Sequence, residues 1–304
     1  MVSSPVTSAP LPIVLAGPTA SGKSALALEL AVRLGGELVC ADSRQLYQGM
    51  RIASAAPSEQ ERARVPHHLF GEVSPHEVMS AGSWAARADV LVKDIAARGR
   101  VAIVVGGTGL YLRAWRVGLQ QRGDGAVRAR LDAEAAQLGT AALHARLVQA
   151  DPAAAAAISP ADRVRVVRAL EIFEVTGLPR GAVDLFSLPP RVQASWLLLD
   201  APLDVLEPRM RARAEAMFAI GIVEEARALA AQLPPGHQLL DTIGVKEALD
   251  SRVLSLEAAV AGTTLRTRQY ARRQRNWFKK EGWWLRLDAT SATLLDDAIH
   301  HCSQ

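Results

Sequence analysis

Between an apolar run, Leu11 to Ala16, and a helix-forming stretch, Ala25 to Leu34, stands the octapeptide Gly17-Pro18-Thr19-Ala20-Ser21-Gly22-Lys23-Ser24. It fits the pattern G-x-x-x-x-G-K-[ST] in the setting that pattern requires, a strand before and a helix after. Such a loop curls its backbone so that successive N–H groups converge on an anion, with the positive end of the following helix behind them. Lys23 adds a mobile charge for a terminal phosphate, and Ser24 adds a hydroxyl for Mg2+. These eight residues predict a di- or triphosphate site on a parallel α/β sheet.

The rest of the chain extends that sheet. Glu37 to Ala41 reads as a second strand, and Ser83 to Arg98 as a helix with Trp84, Ala88, Leu91 and Ile95 on one side. Val101 to Val105 is a continuous β-branched run of the kind buried on both faces of a parallel sheet. Strands alternating with helices give a P-loop-type parallel sheet flanked by helices. From about Gly118 to Pro190 the strand signal fades into alanine-rich helical stretches, 127–138, 141–149 and 161–176. Residues 193–200 return to strand, helices follow at 202–219, 221–232 and 255–280, and 283–287 reads as a last short strand. The expected organisation is a core of residues 11–117, a helical insertion over 118–190, and a second part of the core over 191–304.

Several classes fall away on composition. With 49% hydrophobic and 22% charged residues the chain can build a core and is not wholly disordered. It has no run of 18 apolar residues, hence no expected membrane span. Two distant cysteines, Cys40 and Cys302, make neither a disulfide framework nor a zinc finger. The segment from Met1 to Pro10 reads as a loose tail without a secretory signal, so a cytoplasmic protein is expected. The net charge is only +4, but 30 of the 35 basic residues are arginine, the side chain better suited to phosphate.

Four further features carry chemistry. Val101–Val105 ends in Gly106-Gly107-Thr108-Gly109 with no closing Asp, which argues against a motor-type ATPase. The glycines serve either close approach to a ligand or a strand-to-helix turn. Asp42 follows the second strand on the rim where parallel sheets bind ligands. It can accept a proton, hold Mg2+, or cap the next segment. His67-His68 lacks an acidic partner at ligand spacing and reads as structural. Thr263 to Lys280 carries seven positive charges and no acid, with Tyr270, Trp277 and Phe278 interleaved. On a helix Arg268, Arg272, Arg275 and Lys279 share one face, a surface suited to a phosphate backbone. A second cluster comprises Arg128, Arg130, Arg163, Arg165 and Arg168. Paired, solvated helices are the alternative for both.

In this order GPTASGKS (17–24), ADSRQLYQGMRI (41–52), VPHHL (65–69), VGGTGLYLRA (105–114), DPAAAAAISPADRVRVVRALEIFEVTG (151–177), GIVEEARAL (221–229), IGVKEAL (243–249) and TRQYARRQRNWF (267–278) resemble the bacterial tRNA dimethylallyltransferases, also termed tRNA isopentenyltransferases. The resemblance runs through about residues 12 to 281. It implies transfer of a dimethylallyl group from dimethylallyl diphosphate to N6 of adenosine 37 in the tRNA anticodon stem-loop, with diphosphate released and Mg2+ as cofactor. It also implies a P-loop core with a helical insertion, acting as a monomer.

By position, the resemblance implies diphosphate binding by Gly17, Pro18, Thr19, Ala20, Ser21, Gly22, Lys23 and Ser24, with Ser24 on the metal and Arg213 reaching the diphosphate. Asp42, Lys23 and Thr19 would be catalytic, Asp42 as general base at N6. Asp42, Ser43, Arg44 and Gln45 would hold the flipped base. Further tRNA contacts would come from Thr108 and Arg128, and from Val164, Arg165, Val166, Val167 and Arg168. The same is implied for Asp241, Thr242, Ile243, Gly244, Val245, Lys246, Glu247 and Ala248, and for Arg272, Arg273, Gln274, Arg275, Asn276, Trp277, Phe278 and Lys279. The chain departs from the family pattern in RIASAAPS (51–58), where Ala53, Ser54 and Ala56 replace the usual glycine, threonine and lysine. Arg180, Val245 and Asn276 are further departures. Three other functions compete: an ATP-dependent small-molecule kinase with Asp42 as base, a non-catalytic RNA-binding protein, and a prenyltransferase acting on free AMP.

Overall fold

The computed structural model describes residues 10–118, 124–179, 188–250 and 255–302. Arg180 and nearly all of the N-terminal tail lie outside them. The chain divides into two compact units, one ending at Arg116 and resuming at Val192, the other Val117–Arg191.

The first unit holds one parallel sheet. Its strands are β1 (Ile13–Ala16), β2 (Glu37–Cys40), β3 (His67–His68), β4 (Ala102–Gly106), β5 (Ser195–Asp200) and β6 (Leu285–Asp288), in the spatial order β3-β2-β4-β1-β5-β6. The apolar runs occupy the centre: every residue of β1 and β4 is buried. The short, polar strands stand at the two edges, where a long apolar strand would invite aggregation. His67 and His68 form one of those edges. His68 Nε2 meets the buried Glu37 carboxylate at 2.7 Å, and Arg98 reaches the same carboxylate at 2.8 Å. His67 Nδ1 lies 2.8 Å from the Val65 carbonyl, so both rings are engaged with the protein itself.

Around the sheet lie α1 (Lys23–Leu34), α2 (Glu59–Arg64), α3 (Ala81–Ala97) and α4 (Gly109–Val117). The second unit contributes α5 (Gly125–Leu138), α6 (Thr140–Ala150), α7 (Pro152–Ala157) and α8 (Arg163–Thr176). The chain then returns with α9 (Leu203–Ala219), α10 (Ile222–Gln232), α11 (Val245–Asp250), α12 (Leu256–Lys279) and α13 (Leu294–Cys302). The sequence reading lacked α2, α4, α7, α11 and α13. The alanine run 153–157 is α7, a helix begun by Pro152 in its first turn and by the Asp151 carboxylate accepting from Ala154 N–H. Six-residue helices such as α2 and α11 are too short to display a hydrophobic period. No described helix is long and apolar enough to cross a membrane.

The second unit is a helical body with its own core of Leu131, Leu143, Leu147, Ile158, Val166, Val167 and Leu170. Several of its described arginines are matched within the unit. Arg130 and Arg146 both pair with Glu134 and Glu174. Arg163 pairs with Asp132, Arg165 with Asp162, and Arg128 and Arg168 with Glu171. Each arginine of this cluster has an acidic partner, and Arg128 and Arg165 remain exposed. Val166 and Val167, placed by resemblance among tRNA contacts, are core residues, whereas Val164 is exposed. A buried valine has no surface to offer a nucleic acid.

Candidate active site

A cavity of about 400 Å3 opens beyond the carboxyl ends of β1 and β2, the edge at which parallel sheets bind ligands. Its walls come entirely from the first unit. The loop after β1 supplies Thr19, Ala20, Gly22, Lys23 and Ser24, and the turn after β2 supplies Asp42, Ser43, Arg44 and Gln45. The loop 53–55, α9, the segment 241–243 and α12 complete it.

The loop after β1 is shaped to receive an anion. Gly22, the residue before α1, has φ 91°, a left-handed conformation that favours glycine. It offers no side-chain cap to α1, so the first N–H groups of that helix have no acceptor from it. By contrast α2, α3, α5, α7, α8 and α12 each carry a Ser or Asp cap. An uncapped helix start facing a cavity leaves its donors for a ligand. Ala20 also holds a left-handed φ of 66°, costing about 1–2 kcal/mol for a residue with a Cβ.

Two cations stand at this loop. Lys23 donates to the Pro18 carbonyl at 3.4 Å. Arg213, from α9, donates to Thr19 Oγ1 at 3.2 Å and to the Ala53 carbonyl at 3.5 Å. Burial pushes the pKa of Lys23 down, Asp42 acts against that shift, and Arg213 adds to it. Burial likewise lowers Arg213, with Asp42 opposing. Two half-buried cations facing one carboxylate make a site that gains by taking up an anion.

Asp42 shows one of the roles open to it and faces the cavity as well. Its Oδ1 accepts from Arg44 N–H at 2.9 Å and Gln45 N–H at 3.4 Å, so it caps its own turn. The same carboxylate lines the cavity. The turn is also held by Thr108, whose hydroxyl oxygen accepts from Ser43 N–H at 2.9 Å. Gln45 is spent on the cavity wall, donating to the carbonyls of Ser54 and Ala55 at 3.0 Å each. The Gly106-Gly107-Thr108-Gly109 turn serves packing as a strand-to-helix junction. A Cβ on Gly107 would fall 2.2 Å from Gln274 Nε2.

The segments expected to contact tRNA divide. On α12, Arg272, Arg273, Asn276 and Lys279 are exposed. Arg275 is turned inward against Asp200 at 2.9 Å, and Arg268 pairs with Glu207. Phe278 is core, Gln274 is buried, and Trp277 is half-buried beneath Arg113, whose guanidinium sits 4.2 Å from the ring centre. An RNA face formed by the whole stretch is therefore corrected to its exposed members. Around α11, Asp241, Thr242 and Ile243 line the cavity, and Lys246 is exposed and paired with Asp241. Val245, Glu247 and Ala248 are buried, Glu247 binding Arg266 at 2.8 Å. Gly244 has φ 90°.

Of a second face of α12, sequence reasoning singled out only Tyr270 and Arg273. Thr263, Arg266, Thr267, Tyr270 and Arg273 line the cavity, and their spacing of three and four is the same helical signal read one phase over. Tyr270 lies at the Asp42 turn, with its hydroxyl pKa pushed up by burial and the Asp42 charge. Glu225 was also missed. Its two oxygens accept from Ile52 and Ala53 N–H at 2.8 Å each, fixing the loop 52–55.

Comparison with known proteins follows the same lines. Residues 45–281 match the family described as IPP transferase. A protein of Anaeromyxobacter dehalogenans named tRNA dimethylallyltransferase is 49% identical over 274 residues, covering 88% of this chain and 92% of its own. One of the same name from Myxococcus xanthus is 45% identical over 281 residues, covering 90% of each. The crystal structure of the full-length tRNA isopentenylpyrophosphate transferase of Bacillus halodurans superposes with a TM-score of 0.69 at 33% identity, covering 96% of this chain and 94% of that one. A eukaryotic dimethylallyltransferase captured acting on tRNA gives 0.79 at 27% identity, covering 96% and 77%. On these likenesses, and with a phosphate-shaped loop facing a carboxylate across one cavity, the chain belongs to the IPP transferase family, that of the tRNA dimethylallyltransferases, and is a transferase.

Proposed function

We propose that this enzyme transfers the dimethylallyl group of dimethylallyl diphosphate to N6 of adenosine 37 in tRNA, releasing diphosphate. The observation that carries the reading is the shared cavity. An anion-seeking loop with Lys23 and Arg213 faces Asp42, a carboxylate with only Oδ1 committed to its turn. The diphosphate would sit on the N–H groups at the start of α1. Lys23, Arg213 and the Thr19 hydroxyl would neutralise charge building on the leaving group. The exocyclic amine of adenosine is a weak nucleophile because its lone pair is delocalised into the ring. Asp42 would accept its proton as the new C–N bond forms. The base must first leave the anticodon stack, and Ser43, Arg44 and Tyr270 line the wall beside Asp42 that would receive it.

The donor set fits Mg2+. Ser24 and Asp42 present hard oxygens to the cavity, and the scarcity of protein ligands suits an ion that keeps waters and substrate phosphate oxygens. When bound, the ion would add positive charge to the leaving diphosphate. The test is one incubation of the protein with Mg2+, labelled dimethylallyl diphosphate and unmodified tRNA, then digestion. N6-dimethylallyladenosine from tRNA and none from AMP is expected. ATP consumption without prenyl transfer would replace this reading with the kinase.

The exposed cations of α12 would engage the RNA backbone. Changing Arg272, Arg273 and Lys279 together to Ala is expected to weaken binding of all tRNAs alike. The log–log salt slope should fall by about 0.7–0.9 for each phosphate that is no longer neutralised. Filter binding across a salt series checks this, and an unaltered slope would make the helix a bystander. Arg275→Ala should instead leave the slope alone. It strips the half-buried Asp200 of its partner and is expected to cost about 1–3 kcal/mol of stability, visible as a lower Tm.

A further inference from the structure

Gln274 belongs by sequence to the stretch expected to touch RNA, but its side chain is spent inside the protein. It is 5% exposed, on the face of α12 that also buries Ala271 and Phe278. Its Oε1 accepts the Thr19 N–H at 2.9 Å, and its Nε2 donates to the Gly107 carbonyl at 2.9 Å. One amide therefore ties the phosphate loop to the turn after β4. Gly107 fits this role, because any Cβ there would occupy the position of the Gln274 amide.

The turn after β4 in turn holds Asp42. Thr108 N–H donates to the Ala41 carbonyl at 3.2 Å, and the Thr108 hydroxyl oxygen accepts from Ser43 N–H. Hydrogen bonds, joined by the Gly107–Thr108 peptide bond, link Thr19, where Arg213 docks, through Gln274 to Ala41 and Ser43, the residues flanking Asp42. Its two ends are the group that receives the leaving diphosphate and the group that takes the proton.

We propose that Gln274 is a positioning residue that sets the phosphate loop and the Asp42 turn at the separation the transfer requires. This rests on the function proposed above. Displacement substitutions are sensitive to such spacing: an error near 1 Å costs on the order of a hundredfold in rate. The binding of each substrate alone does not depend on the separation, so the effect belongs in kcat.

The test compares wild type, Gln274→Met and Gln274→Asn in steady-state transfer to tRNA, with Tm measured in parallel. Met keeps the volume and loses both hydrogen bonds. Asn keeps the amide on a stem one methylene shorter and cannot span both partners, so it stands in if Met impairs folding. In the folded variants kcat is expected to fall by about tenfold or more, while KM for dimethylallyl diphosphate and for tRNA each stay within about threefold. A normal kcat with a raised KM for tRNA would make Gln274 an RNA-binding residue and overturn the proposal. So would wild-type kinetics in both variants. Absence of product with the wild-type enzyme would instead strike the proposed function, and this inference with it.

Discussion

Asp42→Asn is expected to lower kcat for prenyl transfer by about 10²–10⁴-fold, the range for loss of a general base, with tRNA affinity unchanged. The substitution suits the question because Asp42 does two things. Its Oδ1 caps the turn through Arg44 and Gln45 N–H, and an asparagine oxygen can do the same. What Asn removes is the charge and the ability to take a proton. Without Mg2+, diphosphate should bind the variant as well as the wild type or more tightly, since Asp42 is the negative charge that acts on Lys23 and Arg213. Single-turnover transfer with excess enzyme, alongside binding of inorganic diphosphate, reads both effects. A variant that turns over at the wild-type rate would remove Asp42 from the chemistry and leave it a turn cap. Asp42→Ala is the less informative change, because it also deletes the cap and so mixes about 1 kcal/mol of local stability with the chemistry.

What could be read from the sequence was what local spacing encodes. The strand–loop–helix at 13–34 was legible because glycine, lysine and serine at fixed offsets have few other uses. β1 and β4 were legible because strands buried on both faces are continuous apolar runs. Asp42 could be placed on the rim, but its division between capping and the cavity could not, since that depends on which oxygen the Arg44 and Gln45 amides take. The basic helix shows the limit most clearly. Periodicity put Arg268, Arg272, Arg275 and Lys279 on one stripe, but the partners that withdraw two of them, Glu207 and Asp200, lie 61 and 75 positions earlier in the chain, the second by its hydrogen bond to Arg275. Gln274 and Glu225 were invisible for the same reason: each acts on a loop more than 150 residues away, and no local pattern records a long-range hydrogen bond. The loop RIASAAPS lacks the lysine of the family pattern. Ala53 presents a carbonyl to Arg213, and Glu225 fixes the backbone. At the phosphate loop the cations are Lys23 and Arg213, both from outside RIASAAPS, while Arg44, Arg266 and Arg273 line the cavity elsewhere.

That concentration of charge gives Lys23→Met its expected size. Lys23 stands at the start of α1, among N–H groups that have no side-chain cap, where a diphosphate would carry several negative charges within contact range. Removing one half-buried cation from such a site forfeits a charge-assisted hydrogen bond and the Coulomb attraction of a partly screened pair. KM for dimethylallyl diphosphate, and Kd for inorganic diphosphate, are expected to rise by about tenfold to a hundredfold, equivalent to about 1.4–2.8 kcal/mol. Because Lys23 also meets charge developing on the leaving group, kcat should fall with them. The pH dependence separates this role from a loss of shape. Burial lowers the pKa of Lys23 below its ordinary value of 10.5, and only the protonated amine attracts the anion. The affinity of the wild type for diphosphate is therefore fully present below that lowered value and is lost as pH rises through it, whereas the Met variant lacks this loss. Titration calorimetry with diphosphate from neutral to alkaline pH reads the difference. Wild type and variant falling away together at alkaline pH would mean that another cation, Arg213 first among them, holds the leaving group, and Lys23 would then be a packing residue of the loop.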